Sequence, residues 1–263
     1  MAKNTVPQAA TDSPWPAARY VRRSAEAIRS RDARIGRATG VLDSERIALC
    51  EWAVKNSRRL PFDFIEQFTY IGSGAEHRVY YDRNLNVAIK GTRTNAFGHS
   101  VYAEWRQATP GEYLRRLAWC NLLFGDDFRI IGVAYDDELQ IEIVCSQPWI
   151  EAHPKRSVPF ANEIEKYFRD FGFLRVAIYG PDAPLFYNRE LNLLVADAHD
   201  TNILRDVNGN LAAIDIAIGR PGSDLLKKIF NQFGWSAPSM RRPSRFRVIR
   251  LAKLFSWVSR RAS

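Results

Sequence analysis

Two acids, a histidine and an amide are packed into Asp197-Ala198-His199-Asp200-Thr201-Asn202, with apolar residues running in (Leu193-Leu194-Val195) and out (Ile203-Leu204). This pattern places the polar groups on a short loop between strands, the usual setting of a ligand or proton-transfer site. Thirteen residues after Asn202, Asp215 lies among Ala213, Ile214, Ile216 and Ala217. Burying such a carboxylate is costly unless it is paired or bound to a metal. Upstream, Lys90 ends the apolar run Val87-Ala88-Ile89. If it points inward from a sheet its ammonium needs an anionic partner, and the alternative is a strand-end lysine in water. Gly72 and Gly74, in Ile71-Gly72-Ser73-Gly74-Ala75-Glu76-His77, would let a hairpin backbone approach a ligand without Cβ atoms between them, or simply make a turn.

The elements that must position these residues can be read from periodicity. Residues 68–92 predict two strands, with a glycine-bearing turn before Ala75 and a second turn at Asp82-Arg83-Asn84-Leu85-Asn86. Thr109, Pro110 and Glu112 have the form of a helix start, and Leu114, Leu117, Ala118 and Leu122 continue on one face. Strands follow at Arg129–Asp136 and Leu139–Ile150. Asn162–Phe173 predicts another helix, with Ile164, Tyr167, Phe168 and Phe171 at helical spacing and Gly172 near its end. Before the first strands, Ser44 is a candidate cap for a helix carrying Ile47, Ala48, Cys50, Trp52 and Val54, closed by Pro61. Gly209-Asn210 predicts a hairpin turn, and the strand after it holds Asp215. Strands first and helices later give an α+β class with a strand-rich N-terminal part.

The 263 residues, 46% hydrophobic and 12% aromatic, can fill a sizeable core. Cys50, Cys120 and Cys145 are far apart and odd in number, which argues against disulfides and metal-ligand spacing and for a reducing compartment. No apolar signal core and no run of about 18 apolar residues is present, so the expected location is cytoplasmic, without an integral membrane segment. The net charge of +9 divides unevenly. Residues 1–40 carry 8 basic and 3 acidic side chains and residues 225–263 carry 10 basic and none acidic, which leaves 20 basic and 26 acidic between them. The middle is therefore mildly acidic, and any affinity for nucleic acid or an anionic membrane surface belongs to the two ends.

The glycine loop and strand lysine together resemble the nucleotide-binding lobe of protein kinases, where G-x-G-x-x-G-x-V precedes V-A-I-K. Gly72, Gly74 and Val79 match the first pattern and Val87–Lys90 the second, while His77 stands where the third glycine belongs. Asp197 and Asn202 have the D-x-x-x-x-N spacing of the kinase catalytic loop, and the D-x-H-x-x-N-I-L form is similar to that of aminoglycoside and choline kinases. The resemblance implies that Asp197 is the catalytic base, Asn202 a magnesium ligand, and His199 a loop-shaping or phosphate-proximal residue. Asp215 takes the place of the kinase metal-binding aspartate in Asp215-Ile216-Ala217, without the usual following glycine. One carboxylate, one amide oxygen and the nucleotide phosphates suit magnesium, and Lys90 would counter phosphate charge. The glutamate that pairs with this lysine is assigned to Glu112, which also fits a capping box, with Glu104 as the second choice.

A closer resemblance is to the kinase-like domain of polyvalent proteins of phages and mobile elements. It rests on residues 74–82, 112–127, 146–151, 163–173, 197–204 and 211–215. It implies a two-lobed fold with an antiparallel-sheet N-lobe and a reduced, mainly helical C-lobe, since only 48 residues follow Asp215. Residues 1–42 are expected to form a basic flexible or locally helical arm, 43–150 the N-lobe with a leading helix, 151–238 the C-lobe, and 239–263 a basic amphipathic helix. Residues 146–149 take the place of the hinge, so Gln147 and Trp149 are expected beside the adenine of ATP. The implied activity is ATP- and magnesium-dependent phosphoryl transfer to a protein hydroxyl. A small-molecule hydroxyl is the related alternative, and a non-catalytic nucleotide-binding scaffold using its basic ends is the alternative from another class.

Overall fold

A computed structural model describes residues 13–102, 106–178 and 184–236. The second choice for the lysine partner, Glu104, and the amphipathic helix expected at 239–263 lie outside these residues. The architecture is α+β, with mostly antiparallel sheets and five helices among the described residues.

The N-terminal part is built on a six-stranded sheet in the order β1-β5-β6-β4-β3-β2. Its strands are β1 (Arg59–Leu60), β2 (Thr69–Ser73), β3 (His77–Asp82), β4 (Val87–Thr92), β5 (Arg129–Tyr135) and β6 (Ile141–Pro148). Only the β1–β5 pairing is parallel. The expected turn between β3 and β4 forms at 83–86, where Asp82 Oδ1 accepts from the Asn84 backbone N–H at 2.9 Å and Asn86 takes the left-handed conformation (φ 52°).

Helix α3 (Pro110–Phe124) starts at Thr109 as the sequence leads one to expect. The Thr109 hydroxyl accepts from the Glu112 N–H, and the Glu112 carboxylate accepts from the Thr109 N–H at 3.0 Å. Glu45, buried on α2 (Val41–Lys55), adds a third link by accepting from the Gly111 N–H at 2.8 Å. Helix α2 itself departs from expectation. It begins three residues before Ser44, which is buried in its first turn, accepts from Arg29 at 2.7 Å and donates to the Val41 carbonyl.

Residues 14–34, expected to be an arm, form the 21-residue helix α1 (Pro14–Arg34), packed on α2 and α3. Its buried stripe is Ala17, Ala18, Val21, Ala25 and Ile28. Its three alanines weigh little in a hydrophobicity reading, yet they let helices approach closely and are themselves wholly buried.

The C-terminal part follows β6. Its described residues hold only α4 (Ala161–Asp170) and α5 (Ser223–Phe233) beside two small sheets. Strands β7 (Leu174–Val176), β8 (Leu185–Asn188), β9 (Leu193–Ala196) and β12 (Ala217–Gly219) lie in the order β12-β9-β8-β7, and β10 (Ile203–Arg205) pairs with β11 (Leu211–Ala213) as a hairpin. Strand β8 is buried on both faces. Leu185 and Tyr187 pack with Leu225, Ile229 and Phe230 of α5, while Phe186 stacks on Phe168 of α4 with ring centroids 4.6 Å apart. Phe168 is also in ring contact with Phe124, Tyr167 and Phe173, so an aromatic cluster joins α3 to the C-terminal sheet.

Candidate active site

The polar hexapeptide does lie on a loop, between β9 and β10. Asp197 opens it in the left-handed conformation (φ 59°), which short polar side chains tolerate better than most. Its Oδ1 lies 2.9 Å from His199 Nε2, and His199 Nδ1 lies 2.8 Å from the Thr201 hydroxyl. His199 thus joins the Asp197 carboxylate to the Thr201 hydroxyl within the loop. The Asn202 amide nitrogen donates to the Asp197 carbonyl at 2.9 Å, closing the loop on itself.

Asp215 was expected within a strand. It lies instead on the bend between β11 and β12, because the chain there leaves the two-stranded hairpin and enters the four-stranded sheet. That change of sheet frees its carboxylate from strand alternation and turns it toward the cleft. The preceding residue connects the pieces of the site. The Ile214 N–H donates to the Asn202 carbonyl at 2.9 Å, and the Ile214 carbonyl accepts from Lys90 Nζ at 2.5 Å. One peptide segment therefore joins the strand lysine, the polar loop and Asp215.

Lys90 is inward-pointing and only 7% exposed. Its ammonium also lies 5.3 Å from the Phe128 ring centroid. Val79 faces Lys90 across the β3–β4 ladder, so the two side chains share a face of the sheet. The expected Lys90–Glu112 pair does not form. The Glu112 carboxylate is engaged by the cap and by Arg106 at 2.5 Å, and no ion pair of Lys90 occurs among the described residues. The capping reading of Glu112 prevails because the helix terminus satisfies this carboxylate locally, before the sheet can compete for it.

Glu76, Tyr113 and Arg116, none of them anticipated, surround Asp215. Arg116 is only 6% exposed, donates to Glu76 through both terminal nitrogens, and lies 3.7 Å from Asp215 Oδ1. His77 Nδ1 lies 3.4 Å from Asp215 Oδ2, and its Nε2 lies 3.0 Å from the Tyr113 hydroxyl. The histidine in place of the third glycine thus bridges the loop to Asp215. Gly98 makes room for this cluster: it has φ +74°, and a Cβ there would stand 2.0 Å from Glu76 Oε2. Arg116 had a sequence signal, since Tyr113, Leu117 and Cys120 put it on the buried stripe of α3, where a lone cation demands an acid partner.

Burial raises the pKa of Asp215, but the hydrogen bond and charge of His77, with Lys90 and Arg116, outweigh it and hold the carboxyl well below the usual carboxylate range. Burial likewise opposes the charge on Arg116, and Glu76 and Asp215 more than restore it, so the guanidinium is held ionised. Asp215 is ionised with 37% of its side chain exposed, and the Asn202 amide nitrogen is already occupied by the Asp197 carbonyl; a carboxylate oxygen and an amide oxygen are donor types that magnesium prefers. Glu76, His77 and Asp215 also bring one ligand atom each within 4.8 Å of one another, but Arg116 already supplies a cation to both acids.

In the glycine loop, Gly72 lies in β2 opposite Val79, and the Gly74 N–H donates to the His77 carbonyl at 2.9 Å. A Cβ at either glycine would meet nothing within 4 Å, so both backbones border open space. At the far end of the cleft, Gln147 shares the Lys90 face of the sheet, is 3% exposed, and its amide nitrogen has no hydrogen-bond partner among the described residues. Trp149 leaves β6 with its ring centroid 4.6 Å from that of Tyr81 and its backbone N–H donated to the Asn86 carbonyl.

A family model described as serine/threonine/tyrosine kinase found in polyvalent proteins matches residues 43–219. The match takes in every residue of the cluster and ends with β12, leaving α1 and α5 outside it. No curated protein matches the chain.

Proposed function

Because the chain belongs to the serine/threonine/tyrosine kinase family found in polyvalent proteins, we propose that it transfers the γ-phosphoryl group of ATP, with magnesium, to a protein hydroxyl. The observation that carries this reading is the convergence on Ile214, whose two backbone groups bond Lys90 and Asn202 while its neighbour Asp215 is kept ionised. A lysine, a loop carboxylate and a pair of oxygen donors are the parts phosphoryl transfer requires, since positioning and charge stabilisation supply most of its catalysis.

In this mechanism Lys90 keeps one N–H on Ile214 and has two left for phosphate oxygens. Gly72 and Gly74 lay bare backbone over the phosphates, and Gln147 and Trp149 border the base. Asn202 and Asp215 would hold magnesium, which when bound neutralises phosphate charge. Asp197, steadied by His199, accepts the proton of the attacking hydroxyl as its oxygen bonds to the γ-phosphorus and the bond to the ADP oxygen breaks.

A second reading is favoured by Arg116 and His77, which already satisfy the Asp215 carboxylate from within the protein. In it the chain is a nucleotide-binding scaffold without transfer, and its basic ends recruit an anionic partner. No helix among the described residues is long and apolar enough to cross a membrane.

The deciding experiment incubates the full chain with magnesium and γ-labelled ATP, alone and with a generic protein acceptor or a panel of small hydroxyl compounds, beside Asp197→Ala and Asp215→Ala. Transfer that both variants abolish, with ATP binding retained by Asp197→Ala, supports the kinase reading. Magnesium-dependent ATP binding with no transfer to any acceptor would move the conclusion to the scaffold.

A further inference from the structure

One hydroxyl of the polar loop has no part in phosphoryl transfer to an outside acceptor. Thr201 is exposed, and its Oγ1 lies 2.8 Å from His199 Nδ1, while His199 Nε2 lies 2.9 Å from Asp197 Oδ1. A carboxylate can only accept, so in the neutral imidazole the proton sits on Nε2 and Nδ1 offers its lone pair to the Thr201 O–H. The Asn202 amide nitrogen, 3.4 Å from the same Nε2, is donated to the Asp197 carbonyl. Hydroxyl, imidazole and carboxylate therefore stand in the order of an activated nucleophile, its base and the group that orients the base.

The three side chains alternate along positions 197, 199 and 201, and the backbone that carries them is braced. The Asn202 N–H donates to the His199 carbonyl at 3.0 Å, and the Asn202 carbonyl accepts from the Ile214 N–H at 2.9 Å. Such bracing holds base and hydroxyl together before any donor arrives. The His199 and Asp197 side chains are 43% and 53% exposed, so a donor reaches them from solvent without disturbing the core.

We propose that Thr201 is a base-activated nucleophile that takes a phosphoryl group onto its own hydroxyl, a modification site directly before the proposed magnesium ligand Asn202. Thr201 Oγ1 bonds to the γ-phosphorus of a nucleoside triphosphate, the bond from that phosphorus to the diphosphate oxygen breaks, and the hydroxyl proton passes to His199 Nδ1. Asp197 steadies the imidazolium so formed, whose proton then leaves to water. The identity of the donor rests on the kinase reading, whereas the activated hydroxyl is a property of the loop itself.

The test treats the full chain with a fluorophosphonate, which modifies activated hydroxyls with loss of fluoride, and in parallel with magnesium, ATP and a generic protein acceptor. Both arms are read by peptide mass spectrometry. A positioned base contributes about 10²–10⁴-fold and water access favours the lower end, so Thr201 should label roughly a hundredfold faster than Thr69, which is also exposed. His199→Gln should remove most of that advantage and Thr201→Val all of the label, whereas Thr201→Ser keeps it. Labelling of Thr201 within about threefold of Thr69, or unchanged in His199→Gln, would overturn the proposal. The comparison with Thr69 is made within the wild-type protein, so it needs no variant to fold. In the ATP arm, phosphothreonine at 201 supports the proposal. Transfer to the added acceptor with Thr201 unmodified overturns it and leaves the kinase reading standing. Fluorophosphonate labelling of Thr201 without transfer from ATP to anything removes the kinase reading and leaves the activated hydroxyl with a phosphoryl donor other than ATP.

Discussion

Arg116 is the residue whose replacement most directly tests the electrostatics of the cleft. Its guanidinium is buried, bonds Glu76 through both terminal nitrogens, approaches Asp215 and lies 4.9 Å from the Tyr113 ring centroid. Arg116→Met keeps most of the aliphatic stem and removes the charge. Taking one partner from a buried pair costs about 3–5 kcal/mol. Here the Glu76 side chain is 17% exposed and keeps His77 at 3.3 Å, so the lower end, about 3 kcal/mol, is expected. At about 2–4 °C per kcal/mol for a chain of this size, Tm should fall by roughly 6–12 °C. Glu76→Gln should cost less, since Arg116 retains Asp215. The double variant should be more stable than additivity allows, by about 1–3 kcal/mol, because each change removes the demand the other left unmet. Thermal and urea unfolding followed by circular dichroism closes the cycle. A cost below about 1 kcal/mol for Arg116→Met, or additivity within about 0.5 kcal/mol, would refute the buried ion pair.

Phe168→Ala should destabilise the chain by about 3–5 kcal/mol in urea unfolding, since a fully buried ring in contact with four others leaves a cavity between α3, α4 and β8. Burial of Asp126 sets a pH dependence. Its folded pKa of about 8 exceeds the unfolded value of about 3.9, so between them the folded form holds a proton that the unfolded form has released. Stability should therefore fall as pH rises from about 4 to about 8, and urea midpoints of Asp126→Asn at the two ends of that window should differ less than those of wild type. Gly74→Ala should keep the wild-type Tm, because its Cβ meets no protein atom, while raising the ATP concentration needed for half-maximal binding. A lowered Tm with unchanged ATP binding would instead make the glycine a structural residue.

The sequence by itself determined what is local. The Thr109 capping box, the turn before Val87, the polar loop at 197–202 and the inward strand lysine each depend on groups within a few residues of one another, so spacing is enough to reveal them. It also carried the family, because several such local patterns occur in a fixed order. Helix α1 escaped because alanine contributes little to a hydrophobic pattern even when wholly buried. Tertiary structure alone decided how the charges pair. Glu76 meets Arg116 across 40 residues and His77 meets Asp215 across 138. Nothing in spacing specifies such partners, since a buried charge is satisfied by whichever opposite charge the packed elements bring nearest. Likewise only the passage of the chain from one sheet to the next took Asp215 out of the strand pattern.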